Sequence, residues 1–332
     1  MKLNLIFIFI FTAILAFAAD EITPYKYTDQ ERKNGMPVYE IPPSCRFTTK
    51  RQETNAPDII YYLSKPKNKE GSTLQFYPIL VFCGGSTSQD DISSIIHLHR
   101  YYLQEFLDLG AAVLTVEQWG VDGNKVDKKV FMEHYTRSQR LRDHEAVINH
   151  LKSDPPQGWN RKFIFFGVSE GGPIATTLAT QYPNMTTAVI SWSGMGDWSW
   201  REQLWTFLQQ LKIEDPTAFQ SERITSRSDY DARMNETLHN PTADKYFCGM
   251  TYQYHADAMT YPKIDYLKIS MPFLAVAGAK DSFIASSDAF VEKAKKAGAN
   301  ITYFRVPDMD HYVRKRPDIV QQTFDWLRNQ LL

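Results

Sequence analysis

Cysteine is scarce in this sequence of 332 residues, and the spacings that bind metal ions are missing. The three cysteines, Cys45, Cys83 and Cys248, allow at most one disulfide bond. In an oxidising compartment we expect Cys45 and Cys248 to form the pair, because Cys83 ends an apolar run and is predicted to be a buried free thiol. No Cys-x-x-Cys pair or His-x-x-x-His cluster is present. We therefore predict neither a metal site nor a cofactor.

The sequence also lacks a surplus of either charge. It has 37 basic and 38 acidic residues, with no long run of one sign. Such a balance argues against nucleic acid or an anionic membrane surface as a partner. There are no repeats or low-complexity segments. The length is that of one large α/β domain or two small ones.

A hydrophobic run long enough to cross a membrane is absent too. The apolar run at 5–15 falls short of the about 20 residues that a hydrocarbon core of ~30 Å requires. Lys2 precedes this run and Ala16-Phe17-Ala18 follows it, as in a signal peptide. We predict that residues 1–18 are a signal peptide cleaved after Ala18 or Ala19, and that the protein is exported to a periplasm or secreted. An uncleaved anchor is the alternative.

What the sequence does contain is an alternation of strand and helix patterns. Short runs that are apolar throughout are typical of buried parallel strands, and segments of helical periodicity lie between them. This alternation predicts an α/β fold with a mostly parallel central sheet and helices on both faces. Strands are predicted at 59–63, 77–82, 112–116, 163–166, 188–192, 273–277 and 302–306, and helices at 92–109, 138–152, 173–181, 287–297 and 318–331.

Two segments depart from the alternation. Residues 19–55 are polar and contain prolines, which predicts an N-terminal arm packed on the domain. Residues at about 197–262 contain no strand pattern but several aromatic-rich helical pieces. We interpret this insertion as a cap over the carboxyl edge of the sheet; a helical excursion elsewhere on the surface is the alternative.

The most informative motif is a serine between two glycines. Gly167-Val168-Ser169-Glu170-Gly171 directly follows the strand pattern at 163–166 and precedes a helix pattern. Glycines on both sides of Ser169 allow a sharp turn that presents the serine oxygen above the edge of the sheet. We therefore predict that Ser169 is a catalytic nucleophile.

A serine nucleophile needs a base, and the base needs a carboxylate that orients it. Asp281 follows the predicted strand at 273–277, and His311 follows the strand at 302–306. Loops after the carboxyl ends of parallel strands converge on one crevice, so Ser169, Asp281 and His311 are predicted to meet there. Asp308 and Asp310 compete with Asp281 for the role of the acid. Asp310 adjoins His311, and its side chain should point away from the imidazole.

An acyl-transfer site also needs hydrogen-bond donors for the oxyanion. The backbone amide of Glu170 follows the nucleophile at a helix start and is one predicted donor. The second is predicted from the glycine-containing loop after the strand at 77–82, as the amide of Gly85 or Ser86. An ordinary Gly-Gly turn is the alternative interpretation of this loop.

Tryptophans supply the candidate substrate pocket. Trp192 and Trp198 lie where a core strand meets the predicted cap, and Trp119 follows another strand toward the same crevice. They could line an apolar pocket, although aromatic residues of the cap could equally form its own hydrophobic core. The arginines at 137, 140 and 142 could bind an anionic substrate group, but a solvated helix face is the favoured interpretation.

The sequence of residues 56–332 resembles the α/β-hydrolase superfamily. Ser169, Asp281 and His311 match the nucleophile, the acid and the base of that family, and they follow one another in the order typical of it. Two positions differ from the pattern: Cys83 stands where many members carry a histidine, and Glu170 puts a charge beside the nucleophile.

The resemblance implies a serine hydrolase that cleaves an ester, thioester or amide of a small-molecule, acyl or peptidyl substrate. An acyltransferase or a peptidase would use the same triad. The alternative to an enzyme is a non-catalytic binding protein with this fold.

Overall fold

The computed structural model describes residues 20–68 and 70–332. The predicted signal peptide lies outside the described residues. Eight strands form one sheet in the order β1-β2-β4-β3-β7-β8-β11-β12, and two pairs of short strands form the ribbons β5–β6 and β9–β10. The strands are β1 Arg46–Thr49, β2 Ile59–Ser64, β3 Tyr77–Cys83, β4 Ala112–Val116, β5 Val121–Asp122, β6 Lys125–Val126, β7 Trp159–Val168, β8 Thr186–Trp192, β9 Tyr246–Phe247, β10 Met250–Thr251, β11 Phe273–Gly278 and β12 Ile301–Val306.

The sheet is mostly parallel, as predicted. β2 pairs antiparallel with both β1 and β4, whereas the pairings from β4 through β12 are all parallel. Twelve α-helices surround it within the described residues: α1 Asp29–Asn34, α2 Ile96–Tyr101, α3 Leu103–Asp108, α4 Lys128–His134, α5 Arg137–Ser153, α6 Gly171–Gln181, α7 Trp200–Glu214, α8 Pro216–Ser221, α9 Arg227–His239, α10 Tyr252–Thr260, α11 Ile284–Lys296 and α12 Pro317–Leu331. Short 3₁₀ helices lie at Pro43–Cys45, Pro183–Met185, Tyr266–Lys268 and Val313–Lys315.

The central strand β7 shows why the strands are apolar throughout. Successive side chains of a strand point to opposite faces of the sheet. Phe163 and Phe165 pack into one hydrophobic core with residues of α5, α6 and α11. Ile164 and Phe166 pack into a second core with residues of α3 and α12. Both faces of the sheet are therefore covered, and the α/β fold class predicted from the sequence is confirmed.

One predicted helix differs in the structure, and one strand of the sheet was missed. The helix predicted at 92–109 is two short helices, α2 and α3, which meet at Tyr102 with φ −111° and ψ 9°. The edge strand β1 was not predicted, and it lies within the segment interpreted as an arm. Its sequence, Arg-Phe-Thr-Thr, has no apolar run, and its pairing with β2 is a long-range property that a local pattern does not report.

The segment 197–262 contains helices α7–α10 and the ribbon β9–β10, with a hydrophobic core of its own. Trp205 packs on Tyr230 in this core, with ring centroids 5.1 Å apart. Helix α10 lies against α5 of the main domain. Within the described residues, no helix is long and apolar enough to cross a membrane.

The expected disulfide is wrong: the structure has all three cysteines as free thiols. Cys45 packs with residues of the sheet core, whereas Cys248 belongs to the core of the 197–262 segment. The two thiols thus lie in different hydrophobic cores. Cys83 is a buried free thiol, as predicted, and burial raises its pKa to about 12.

Candidate active site

Ser169 sits at a sharp turn between β7 and α6. Its φ is 50°, in the left-handed region that residues with a side chain rarely adopt. The turn leaves no room beside it: a Cβ on Gly167 would lie 2.2 Å from the carbonyl oxygen of Gly171, and one on Gly171 would lie 2.0 Å from that of Cys83. Both flanking positions therefore require glycine. The turn holds the Ser169 side chain at the carboxyl end of the sheet.

His311 and Asp281 reach the same point from neighbouring strands. His311 Nε2 lies 3.0 Å from Ser169 Oγ, and His311 Nδ1 lies 2.7 Å from Asp281 Oδ2. The other carboxylate oxygen of Asp281 accepts a hydrogen bond from the amide of Phe283 at 3.0 Å, which fixes the orientation of the carboxyl group. Gly278, at the end of β11, lets the two loops approach, because a Cβ there would lie 2.1 Å from the carbonyl oxygen of Met309.

The two competing aspartates face other partners. Asp308 is exposed and accepts a hydrogen bond from Arg316 at 2.6 Å. Asp310 accepts hydrogen bonds from the backbone amide of Tyr312 at 2.7 Å and from Lys315 at 3.1 Å. Of the three candidates for the acid, Asp281 is the carboxylate that contacts the imidazole.

The three predicted oxyanion donors lie around the serine. Gly85 is close to Ser169, since a Cβ on it would be 3.4 Å from Ser169 Cβ. Within 20–68 and 70–332, the amides of Gly85, Ser86 and Glu170 donate to no other group. The next amide in the loop, that of Thr87, donates instead to the Tyr135 hydroxyl at 2.9 Å. These three amides therefore remain candidates for the oxyanion donors.

The Glu170 side chain points into the protein. Its carboxylate is buried and accepts hydrogen bonds from Arg137 at 3.0 Å, Arg140 at 3.1 Å, Tyr135 at 2.9 Å and Tyr254 at 2.8 Å. Burial raises the pKa of this carboxyl, but the charges of Arg140 and Arg137 outweigh it and lower the pKa below its ordinary value. Glu170 is thus an ionised, fully paired group beneath the turn, and its side chain does not line the cavity beside the serine.

The same cluster corrects the interpretation of the arginines. Arg137 and Arg140 are buried, not solvated, because each pairs with Glu170. Arg140 also donates to the carbonyl oxygen of Gly84 at 2.5 Å, so it links Glu170 to the loop that carries the candidate oxyanion donors. Arg142 alone of the three is substantially exposed, where it pairs with Glu53.

A cavity of about 270 Å³ opens beside Ser169 and His311. The Gly84–Thr87 loop, Trp192 and the Ser94-Ile95 segment form part of its wall, and Tyr27, Arg32 and Met36 of the N-terminal arm form another part. Its lining residues are Tyr27, Arg32, Met36, Gly84, Gly85, Ser86, Thr87, Asp91, Ser93, Ser94, Ile95, His97, Leu98, Tyr102, Gln118, Val168, Ser169, Trp192, His311, Tyr312, Val313 and Arg314. No residue of 197–262 is among them.

Of the three predicted pocket tryptophans, the structure places Trp192 alone in the cavity wall. Trp119 stacks on His134, with ring centroids 3.8 Å apart, and the Arg51 guanidinium lies 4.2 Å from its ring. Trp198 is 37% exposed and lies outside the cavity. The aromatic residues of the insertion mainly fill its own core, and none of its residues lines this cavity. That the insertion is a cap over the carboxyl edge of the sheet stays a prediction.

The arm, and not the insertion, contributes residues to the cavity wall. Asp29 pairs with Arg314, and Arg32 donates to Asp91 at 2.7 Å. The ring of Tyr27 lies 4.8 Å from that of Tyr101 in α2. These contacts join segments far apart in sequence, and the polar, proline-containing arm gives no local signal of them.

Glu117 holds another wall segment in place. Its buried carboxylate accepts hydrogen bonds from the Ser94 hydroxyl, from the amide of Ile95 at 3.1 Å and from the Tyr62 hydroxyl at 3.0 Å. Burial raises the pKa of Glu117 to about 7. Glu117 therefore positions the Ser94-Ile95 segment, and its neighbour Gln118 lines the cavity. Among the residues that the structure describes, no group of three or more His, Cys, Asp or Glu side chains could hold a metal ion.

Comparison with known proteins identifies the family of the chain and proteins of similar fold. The family model described as serine aminopeptidase, S33, matches residues 97–313. An acylaminoacyl peptidase of Pyrococcus horikoshii superposes with a TM-score of 0.53 at 16% identity; the match covers 86% of this chain but 40% of the peptidase. Mouse α/β hydrolase domain-containing protein 10 gives 0.53 at 17% identity, covering 86% of this chain and 99% of the other.

Est1E from Butyrivibrio proteoclasticus gives a TM-score of 0.52 at 15% identity, covering 87% of this chain and 99% of the other. No curated protein matches the sequence. At these identities the structural likenesses establish the fold.

Proposed function

The chain belongs to the serine aminopeptidase S33 family of α/β-hydrolases, and from that membership we propose that it is a serine hydrolase acting on an ester, thioester or amide through an acyl-enzyme formed on Ser169. One observation carries the proposal. Ser169 Oγ, the His311 imidazole and the Asp281 carboxylate form a continuous hydrogen-bonded chain, with distances of 3.0 and 2.7 Å. Ser169 and His311 both line a cavity that is large enough for a small substrate group.

The geometry supports the following sequence of steps. Ser169 Oγ attacks the substrate carbonyl carbon while His311 Nε2 takes the hydroxyl proton. The carbonyl oxygen becomes an oxyanion, which the amide of Glu170 and that of Gly85 or Ser86 stabilise. The bond to the leaving group then breaks, and His311 returns the proton to that group. A water molecule attacks the acyl-enzyme in the same way, which releases the acid and restores Ser169.

Asp281 orients the base. Its contact with Nδ1 keeps the proton on that nitrogen and leaves Nε2 free to accept the serine proton. The carboxylate also stabilises the imidazolium formed in each step. Asp281 is buried, so water does not screen this interaction as it would at the surface.

The test is covalent labelling with a fluorophosphonate probe. The wild-type protein should be labelled at Ser169, and Ser169→Ala should abolish both labelling and ester hydrolysis. Ser193→Ala is a matched control, because Ser193 has the same φ of 50° but does not line the cavity. A folded wild-type protein that remains unlabelled and inactive would favour a binding protein on the hydrolase fold.

A substrate panel then separates the reaction types. Matched p-nitrophenyl esters, thioesters and aminoacyl amides compare the three kinds of bond. Adding an alcohol or amine acceptor tests for acyl transfer, since a transferase yields the new ester or amide where a hydrolase yields the acid. The family description makes peptide and aminoacyl substrates part of this panel.

Export is proposed separately, from the signal-peptide pattern of residues 1–18. The full-length chain expressed in a Gram-negative bacterium should reach the periplasm or medium with an intact mass that begins at Ala19 or Asp20. A chain lacking residues 2–18 should stay in the cytoplasm and serves as the control. Cytoplasmic protein that retains Met1 to Ala18 would contradict export.

A further inference from the structure

Two buried side chains hold the loop at 84–87, one at each end. Arg140 donates a hydrogen bond to the carbonyl oxygen of Gly84 at 2.5 Å. The amide of Thr87 donates one to the Tyr135 hydroxyl at 2.9 Å. Within 20–68 and 70–332, the two amides between these points, at 85 and 86, donate to no other group. The loop is therefore fixed at both ends, while its two middle residues line the cavity beside Ser169.

The Glu170 carboxylate fixes both of the side chains that hold the loop. Its Oε2 accepts hydrogen bonds from Arg140 at 3.1 Å and from the Tyr135 hydroxyl at 2.9 Å, and all three residues are buried. An ionised carboxylate only accepts hydrogen bonds, so the single proton of the Tyr135 hydroxyl points to Glu170. The lone pairs of the hydroxyl oxygen are then left for the Thr87 amide. The loop is thus tied to the residue that follows Ser169 in the chain.

The contact with Gly84 sets the direction of the next amide. The peptide between Gly84 and Gly85 is planar and trans, so its carbonyl oxygen and its N–H point in opposite directions. The oxygen points beneath the turn, where a Cβ on Gly171 would lie 2.7 Å from it. Arg140, which holds this oxygen, does not line the cavity, whereas Gly85 does. The N–H of Gly85 therefore points away from Arg140, toward the cavity that Ser169 also lines.

We propose that Arg140 and Tyr135 are positioning residues, which hold the loop after β3 so that the Gly85 amide points at the oxyanion. The inference rests on the proposed function, because it concerns the transition state of that same reaction. Glu170 supplies one donor through its backbone amide and, through these two side chains, places the other. Neither side chain lines the cavity, so the effect on the reaction passes through the loop and not through contact with substrate.

The test measures how well the site stabilises an oxyanion, separately from how well it binds substrate. Trifluoroacetone is an inhibitor that stops at the oxyanion: Ser169 Oγ adds to its carbonyl carbon, His311 takes the hydroxyl proton, and the ketone oxygen becomes negatively charged. We expect Arg140→Lys and Tyr135→Phe each to lower kcat for p-nitrophenyl acetate, and to raise the Ki of trifluoroacetone, by roughly tenfold, a part of the about 10²- to 10³-fold that a whole donor contributes. KM should change little, since bound substrate has no oxyanion.

Both substitutions are conservative. Arg140→Lys keeps the charge that pairs with Glu170, but a single ammonium group lacks the fork that contacts Gly84 at the same time. Tyr135→Phe removes the hydroxyl and keeps the ring, which stacks on Tyr254 with ring centroids 5.4 Å apart. If Arg140→Lys does not fold, Tyr135→Phe decides the question alone. Fluorophosphonate titration counts the competent sites in each preparation, so a partly unfolded variant does not alter the measured constants.

The chain offers a matched control for each variant. Arg137 donates to the Glu170 carboxylate at 3.0 Å, and Tyr254 donates to it at 2.8 Å. In the part of the chain that the structure describes, neither side chain makes a hydrogen bond to the loop at 84–87. Arg137→Lys and Tyr254→Phe therefore weaken the same buried cluster without releasing the loop. They should keep kcat and the Ki of trifluoroacetone close to the wild-type values.

The outcomes separate this inference from the proposed function. A loss of kcat and of ketone binding in Arg140→Lys and Tyr135→Phe, but not in the matched controls, supports the positioning role. Equal changes in all four variants, or no change in any of them, would overturn that role while the serine hydrolase stands. If the wild-type protein takes no fluorophosphonate label and hydrolyses no ester, both proposals fail.

Discussion

Arg140 holds the Glu170 carboxylate at 3.1 Å, directly after Ser169, the proposed nucleophile, in the chain. The other end of the same guanidinium donates to the Gly84 carbonyl oxygen at 2.5 Å. One buried side chain therefore connects the turn after β7 with the loop after β3, the two segments that supply the candidate oxyanion donors. In the sequence, Glu170 was a departure from the family pattern. In this arrangement its charge has a structural role.

Removing the charge of Glu170 should destabilise the protein strongly. In Glu170→Gln, the buried Arg137 and Arg140 lose their carboxylate, and an uncompensated buried charge costs about 3–5 kcal/mol. Denaturant unfolding measures the change. Glu133→Gln is the control, since Glu133 pairs with Lys129 on the surface and such pairs contribute little to stability. Equal losses in the two variants would refute the assigned role of Glu170.

The same pair predicts a dependence of stability on pH. The pKa of Glu170 is lower in the folded protein than its ordinary value, so the unfolded chain binds the proton more readily. The contribution to the free energy of unfolding is therefore complete above the ordinary pKa of about 4.3 and is lost as the pH falls through the folded pKa. Unfolding curves from pH 7 to pH 3 should show this loss for the wild type and a smaller one for Glu170→Gln.

Asp281→Asn should reduce kcat by about 10²- to 10⁴-fold while the fold persists, because an amide presents the wrong hydrogen-bond partner to His311 Nδ1. Asp308→Asn and Asp310→Asn should cost far less, since their carboxylates pair with Arg316 and Lys315. Steady-state kinetics with a chromogenic ester, alongside circular dichroism, measure the effect. Near-full activity in Asp281→Asn would show that another residue, not Asp281, is the acid of the triad.

Gly171→Ala should prevent the turn at Ser169 from forming. The added methyl would lie 2.0 Å from the carbonyl oxygen of Cys83, a backbone atom that cannot move aside alone. We expect loss of folded protein or a large drop in thermal stability. In Gly85→Ala the methyl would meet Ser169 Cβ at 3.4 Å, an ordinary contact, so its stability should stay near that of the wild type. Comparable melting temperatures for the two variants would show that the tight approach is not required.

Substrate size selection should depend on the arm and not on the insertion. Tyr27→Ala removes a lining side chain, which should enlarge the cavity and change KM for bulky acyl esters more than for acetyl esters. Trp198→Ala and Trp205→Ala should leave that comparison unchanged, because neither residue lines the cavity. Kinetics across a series of acyl lengths tests this. If Trp198→Ala changed KM selectively for bulky acyl esters and Tyr27→Ala did not, the insertion and not the arm would contribute to the substrate pocket.

The fold class and the three residues of the candidate triad could be predicted because their signals are local. An apolar run followed by Gly167-Val168-Ser169-Glu170-Gly171 describes a strand and a turn within a few residues. Asp281 and His311 each follow a strand, and parallel strands bring the loops at their carboxyl ends together whatever their separation in sequence. The positions of these residues therefore followed from strand assignments alone.

The pocket could not be predicted, because its walls are set by packing between distant segments. Tyr27 and Arg32 lie in a polar arm with no apolar periodicity. Their place in the cavity wall depends on contacts of the arm with α2, with Asp91 in the loop after β3 and with Arg314 after β12. Trp192 and Trp198 are tryptophans near the same junction in the sequence. Trp192 is buried and lines the cavity, whereas Trp198 is partly exposed and lies outside it.

Sequence alone determined seven of the eight strands of the main sheet and the identity of the candidate nucleophile, base and acid. Tertiary structure decided which charged groups are buried and which segments line the cavity. Arg137 and Arg140 look like a solvated helix face until Glu170, brought beside them by the turn at Ser169, compensates their charge. Burial of a charge is stable only when a partner is present, and the partner's position is a property of the folded chain.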